Sequence, residues 1–233
     1  MYPLVILCGG KAKRLGSLAS EVPKSLIEIN MKPFLSYILE NYIDQGIKDI
    51  YFCLGHLSEK FEEYIETSSK AEVNFYKSYD DKLFNGTGGA VKKVAKKISG
   101  PFFVTYGDSY LDINLKKILK SYKMGIGPLM TIFKNNGQFD NSNCMLTDER
   151  IIYSKSQPLD GANYIDYGLS IFDTENFLHA PNSFDLSLLQ EKYSLENKLQ
   201  YYEVRKRFYE IGSLEGLKEF DEYIRKIWKF FPR

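Results

Sequence analysis

Leu4-Val5-Ile6-Leu7-Cys8 runs directly into Gly9-Gly10-Lys11-Ala12-Lys13-Arg14-Leu15-Gly16-Ser17, and the junction between the two decides the fold class. The first five residues are apolar without alternation, the pattern of a strand covered on both faces within a parallel sheet. The loop that follows then sits at the carboxyl end of that sheet, where open α/β proteins bind ligands. Adjacent glycines let backbone N–H groups approach an anion, and Lys11, Lys13, Arg14 and Lys24 supply cations beside them. This reads as a polyphosphate cradle; the plainer alternative is a solvated basic turn. Spacing excludes two familiar phosphate loops. A dinucleotide fingerprint needs Gly where Ala12 stands, and a Walker loop needs Gly-Lys-Ser/Thr where Gly16 precedes Ser17.

Working outward, Pro33 suits a first helical position before the stripe Phe34, Leu35, Ile38, Leu39, Tyr42 and Ile43, which stops at Gly46. Residues 47–54 read as a strand, Ser58 as the cap of a helix carrying Phe61, Tyr64 and Ile65, and 73–76 as a further strand. A helix over 87–98 and a strand over 102–106 complete a βα series that predicts a parallel sheet with crossover helices. Beyond about residue 125 the pattern becomes short strands at 128–133, 144–146 and 151–153, separated by Asn, Asp and Gly. A strand over 164–172, a helix over 186–195, a short strand over 201–204 and a last helix capped by Ser213 follow. The expectation is one domain spanning 1–233, with a nucleotide-binding half at 1–125 and an acceptor-binding half at 126–233.

With 233 residues, 44% of them hydrophobic, the chain can build a full core, and an aromatic share of 15% argues against disorder as its main state. Its formal charge is +1 with no basic block, so nothing marks a nucleic-acid or anionic-membrane partner and any phosphate binding must be local. Cys8, Cys53 and Cys144 are widely spaced and read as free thiols in a reducing compartment. The first apolar run is far shorter than the ~18 residues of a membrane span, so the chain reads as cytoplasmic. The Tyr- and Phe-rich C-terminal third, with Trp228, Phe230 and Phe231, reads equally as a homodimer face and as the underside of the core.

Two more segments carry chemistry. Asn85-Gly86-Thr87-Gly88-Gly89-Ala90 enters a helix, so its amides are expected to face a base, a ribose or a phosphate. Asp108, in Thr105-Tyr106-Gly107-Asp108-Ser109, again follows a buried strand and suits Mg²⁺ held against nucleotide phosphates, with Glu210 of Phe208-Tyr209-Glu210-Ile211-Gly212-Ser213 as a second carboxylate. His56 and His179 share no motif with a cysteine or serine, which leaves a histidine triad or zinc site unsupported.

Together, GGKAKRL, PKS, GTGGA, YGDS and YEIGS resemble the motifs of the nucleotidylyltransferase superfamily of sugar-1-phosphate pyrophosphorylases, nearest to bacterial heptose 1-phosphate guanylyltransferase-like enzymes. The resemblance implies a Rossmann-like three-layer α/β/α sandwich with a mixed, mostly parallel central sheet. It implies Leu7, Gly9, Gly10 and Lys13 at the nucleotide, with Gly88 and Gly89 bordering the base. Arg14, Lys24 and Asp108 become the catalytic residues, Asp108 and Glu210 the Mg²⁺ pair. Lys155 would grip the acceptor phosphate, and Asp166, Tyr167 and Gly168 would line the acceptor pocket beside Asp108. Ala12 and Lys13 stand where the family usually has Gly and then Thr or Ser, and Ser154 where many members are acidic. The implied substrates are a nucleoside triphosphate, GTP by resemblance, and a heptose or hexose 1-phosphate. The residues do not themselves decide the base: a cytidylyl- or uridylyltransferase acting on another phosphorylated acceptor and a non-catalytic nucleotide-binding relative both stay open, whereas a nucleotide-sugar-consuming glycosyltransferase is disfavoured because no Asp-x-Asp motif stands at Asp108.

Overall fold

The computed structural model describes residues 1–10, 21–68, 72–148 and 150–230. In chain order its first half holds β1 (Leu4–Leu7), β2 (Glu28–Ile29), β3 (Lys32–Pro33), α1 (Phe34–Ile43), β4 (Asp49–Leu54), α2 (Ser58–Ser68), β5 (Asn74–Tyr79), α3 (Gly86–Ala95) and β6 (Pro101–Tyr106). After these come β7 (Ser109–Leu111), α4 (Leu115–Ser121), β8 (Leu129–Lys134), β9 (Cys144–Leu146), β10 (Ile151–Tyr153) and β11 (Tyr164–Asp173). The chain ends in α5 (Leu186–Leu195), β12 (Gln200–Val204), β13 (Phe208–Glu210) and α6 (Leu214–Phe230).

Strand β1 is central and pairs in parallel with β4 on one side and β6 on the other, while β5 adds in parallel beyond β4. Its residues alternate between two buried layers. Leu4 and Ile6 join the cluster that holds Phe34 and Ile38 of α1, Phe61 of α2, Ile118 of α4 and Phe220 of α6. Val5 faces the other cluster, with Val91 and Val94 of α3 and Leu186 and Leu189 of α5. Full burial of each such side chain contributes roughly 1.5–3 kcal/mol, which is why the run needs no polar face. The result is a sheet sandwiched between two helical layers, as expected.

The second half extends the same sheet. Strand β11 lies antiparallel to β6 and to β8, β12 runs parallel to β8, and the β9–β10 hairpin reaches it through Tyr164 opposite Cys144. Among the described residues the sheet holds nine strands, and because parallel and antiparallel pairs occur in it, it is mixed.

Several boundaries differ from the sequence expectation for local reasons. Pro33 is not the first helical residue: at φ −55° and ψ 137° it closes the small β2–β3 hairpin and sits at the cap position of α1. The hairpin turns on Asn30 and Met31, both at positive φ, and two-residue strands leave no periodicity to read. Ser58 opens α2 instead of capping it, β5 runs on to Tyr79, and α3 begins at Gly86, where the Asn85 side chain accepts the Gly86 N–H at 2.8 Å. Ser213 does cap α6, accepting the Gly216 N–H at 3.1 Å. The aromatic residues of α6 with described side chains pack inward; Trp228, Phe230 and Phe231 lie outside the described side chains.

No helix among the described residues is long and apolar enough to cross a membrane. Cys8, Cys53 and Cys144 are all buried and free, and burial pushes every thiol up, that of Cys53 to about 12. A thiol reagent at pH 8 is therefore expected to find none of the three in the native protein and all three in guanidinium. Fast native labelling would contradict that burial.

Phe220 is fully buried with its ring 4.8 Å from Phe34, 5.4 Å from Tyr37 and 5.2 Å from Tyr110. Phe220→Ala is expected to cost about 3–5 kcal/mol in urea unfolding; a loss below ~1 kcal/mol would show that α6 does not anchor this layer.

Candidate active site

The carboxyl ends of β1, β4, β5 and β6 open onto one side of the sheet, and two cavities meet there. The smaller, about 300 Å³, lies over Leu7, Gly9, Gly10 and Lys24; the larger, about 1020 Å³, reaches Lys155, Asp166, Gly168 and Glu210. Tyr106 and Asp108 line both. Four predicted residues from the first half thus share a cavity with Asp108, which forms its border with the second.

Asp108 follows β6, and Lys24 stands on a short 3₁₀ turn, Lys24–Leu26, after Pro23. The Lys24 Nζ lies 2.7 Å from Asp108 Oδ2, an ion pair spanning 84 positions. Glu210 arrives from the opposite end of the chain because β13 pairs antiparallel with β7, setting Glu210 across from Ser109. The Ile211 N–H donates to the Asp108 carbonyl at 3.0 Å, and the Ser109 hydroxyl lies 3.2 Å from Asp108 Oδ1 and 3.4 Å from Glu210 Oε1. Two carboxylates therefore converge on one hydroxyl beside a lysine.

Those carboxylates are hard oxygen donors. Two of them suit a small divalent cation that completes its shell with water and phosphate oxygens. No group of three or more His, Cys, Asp or Glu side chains is assembled for a metal among the described residues. The larger cavity sets Asp108, Asp140, Asp166 and Glu210 against Lys155. That excess of negative charge opposes a phosphate unless a cation accompanies it. Burial pushes the Asp166 carboxyl up, opposed by the Gly168 N–H it accepts at 3.0 Å and by Lys155. The Tyr106 hydroxyl is likewise raised, by burial first and then by Asp166, Asp108, Asp185 and Glu210, so it stays protonated as a donor where the cavities join.

Other predicted residues fall elsewhere. The Gly88 and Gly89 N–H groups both donate to the Phe184 carbonyl, at 2.9 and 3.2 Å. A Cβ on Gly88 would lie 2.3 Å from the Phe184 ring, and one on Gly89 2.4 Å from the Asn182 carbonyl. These glycines admit the segment before α5; they do not line the cavity, and Asn85, Gly86 and Thr87 do. Tyr167 is buried and does not line the larger cavity; its ring lies against Phe208 and its hydroxyl donates to the Arg207 carbonyl at 3.2 Å. Lys13 and Arg14 lie outside the described residues.

The sequence reading missed Asp80 and Asp185 in the smaller cavity and the loop at 136–143 along the larger one. Asn135, fully buried, holds that loop: its Nδ2 donates to the Asp140 carbonyl at 2.6 Å and to Ser142 Oγ at 3.1 Å, and its Oδ1 accepts the Phe139 N–H at 3.1 Å. The Asn135-Asn136-Gly137 turn was the available signal.

Residues 4–136 match the family model described as nucleotidyl transferase. The chain is 31% identical to a D-glycero-alpha-D-manno-heptose 1-phosphate guanylyltransferase of Campylobacter jejuni, over 84% of each chain. It is 30% identical to the enzyme of that name from Aneurinibacillus thermoaerophilus, over 88% of this chain and 86% of the relative. The crystal structure of HddC from Yersinia pseudotuberculosis superposes with a TM-score of 0.79 at 23% identity, covering 96% of this chain and 100% of that one, which supports the fold. The chain belongs to the nucleotidyl transferase family and is, within it, a sugar-1-phosphate nucleotidyltransferase.

Proposed function

We propose that the chain transfers a nucleoside monophosphate from a nucleoside triphosphate, GTP by preference, to a heptose or hexose 1-phosphate, releasing pyrophosphate in the cytoplasm for surface-glycan precursors. The observation that carries this reading is the pair of cavities meeting at Asp108 and Lys24. One cavity suits the nucleotide and the other a polar acceptor lined by Asn, Ser and Gln side chains. Two relatives whose names specify heptose 1-phosphate and guanylyl transfer support the substrate choice. Residues 1–125 then supply most of the nucleotide side and 126–233 most of the acceptor side of one domain, with Asp185 of the second half reaching the smaller cavity.

In the reaction, an acceptor phosphate oxygen attacks the α-phosphorus in line. A new P–O bond forms as the bond to the bridging oxygen of the β-phosphate breaks, and pyrophosphate departs with that electron pair. A phosphomonoester has its second pKa near ~6, so the nucleophile is ionised at neutral pH and no general base is required. The protein's work is positioning and charge neutralisation. Mg²⁺, when bound, supplies positive charge at the phosphates, and Asp108 and Glu210 are the side chains that would hold it. Lys24 offsets charge on the phosphate oxygens, Lys155 holds the acceptor phosphate, and the Tyr106 hydroxyl donates between the two substrates.

Purified protein with Mg²⁺, each common nucleoside triphosphate and a panel of sugar 1-phosphates is expected to release pyrophosphate with GTP and a heptose or hexose 1-phosphate. Nucleotide binding with silence across the panel would favour a non-catalytic relative. Lys24→Ala is expected to lower turnover by roughly 10²-fold, the scale for deleting an electrostatic stabiliser; a near-normal rate rejects its role. Asp108→Ala should abolish metal-dependent turnover, and a variant still active with Mg²⁺ removes Asp108 from the site.

A further inference from the structure

The segment before α5 is fastened to the first turn of α3 on both sides of a single residue. The Phe184 N–H donates to the Asn85 carbonyl at 3.0 Å, and the Phe184 carbonyl accepts from Gly88 and Gly89. The Leu186 N–H donates to Thr87 Oγ1 at 2.9 Å. Asp185 lies between these anchors and is the one residue of the three that contributes no bond to the seam. It occupies the cap position of α5, yet its carboxylate makes no capping hydrogen bond. Instead it lines the nucleotide cavity beside Gly86, where a Cβ would lie 3.2 Å from its Oδ1.

We infer that Asp185 is the residue that selects guanine. This rests on the nucleotidyl-transfer reading above and adds the group that reads the base. A carboxylate only accepts hydrogen bonds, with two oxygens side by side. Guanine alone among the common bases sets two donors, N1–H and the 2-amino group, adjacent on one edge. Adenine and cytosine each set a ring acceptor next to their amino group, and uracil flanks its single N–H with carbonyls, so a carboxylate meets repulsion at all three. The seam fixes the backbone on both sides of Asp185, so less order has to be imposed when the base binds.

Asp80, the other carboxylate at this end, is placed differently. Its Oδ2 is pressed against the backbone of Gly55 and Gly9, where Cβ atoms would lie 2.3 and 3.1 Å away. Burial raises its pKa, and Lys93 opposes the rise. It is packed against the loops after β1 and β4, whereas the Asp185 carboxylate makes no hydrogen bond or ion pair among the described residues, only its backbone carbonyl accepting the Leu188 N–H at 2.9 Å.

The test is binding by titration calorimetry with Mg²⁺ and no acceptor, using GTP, ITP, XTP, CTP, UTP and ATP on the wild type, Asp185→Asn and Asp80→Asn. The wild type is expected to bind GTP most tightly, and ITP, which lacks the 2-amino group, about 10-fold less well. Asp185→Asn should lose roughly 10- to 100-fold for GTP and gain affinity for XTP, because an amide donates to the 2-oxo group and accepts from N1–H. Unaltered thermal unfolding of the variant keeps a loss attributable to recognition. A wild type preferring another nucleotide overturns both the GTP reading and this inference. A wild type preferring GTP, with Asp185→Asn unchanged or weakened equally for GTP, ITP and XTP, overturns the role of Asp185 alone. A switch toward XTP in Asp80→Asn instead assigns the base to Asp80 and overturns it too.

Discussion

Strand β1 is used up on every side but one. Both of its edges carry parallel partners and both of its faces are buried, so its peptide groups and side chains have no further surface to offer. Only its carboxyl end is open, and there the chain turns through Gly9 and Gly10. The neighbouring parallel strands end at the same level, which gathers Lys24, Asp80 and Asp108 around those glycines without any of them being close in sequence. The position of the site is thus a consequence of how the core is satisfied.

Within that frame the chemistry is local. A chain with a formal charge of +1 offers no long-range field for a triphosphate. On the proposed reading, attraction at the described residues would come from backbone N–H groups, from Lys24, and from a cation held by Asp108 and Glu210, which lie 102 positions apart. The ladder between β7 and β13 is what brings Glu210 to Asp108. Tyr106, protonated among carboxylates, would on the same reading supply a donor where the two cavities join.

The layered fold was legible because its signals are strong and local: a fully apolar strand, amphipathic helices of two to three turns, and glycine at the turns. Lys24, Asp108 and Gly9 were legible because each directly follows or faces the end of such a strand. What escaped depended on contacts distant in sequence. Nothing in GTGGA says that the amides of Gly88 and Gly89 will be taken by a carbonyl almost a hundred positions later, and nothing around Tyr167 separates a pocket residue from a core one. The two-residue strands of the β2–β3 hairpin and the three-residue strands β7 and β13 carry too little periodicity to be recognised before their partners are known.

The seam between α3 and the segment entering α5 joins atoms 99 positions apart. A chain emerging from the ribosome completes β1, β4, β5 and β6 well before Phe184 and Leu186 exist to dock, so the first half leaves the exit tunnel with the smaller cavity unfinished and with unpartnered amides at the start of α3. A nucleotide that touches both sides of the seam binds only the finished chain. Its binding energy would then add to global stability by mass action, making such a ligand a reversible clasp on one long-range closure of the fold.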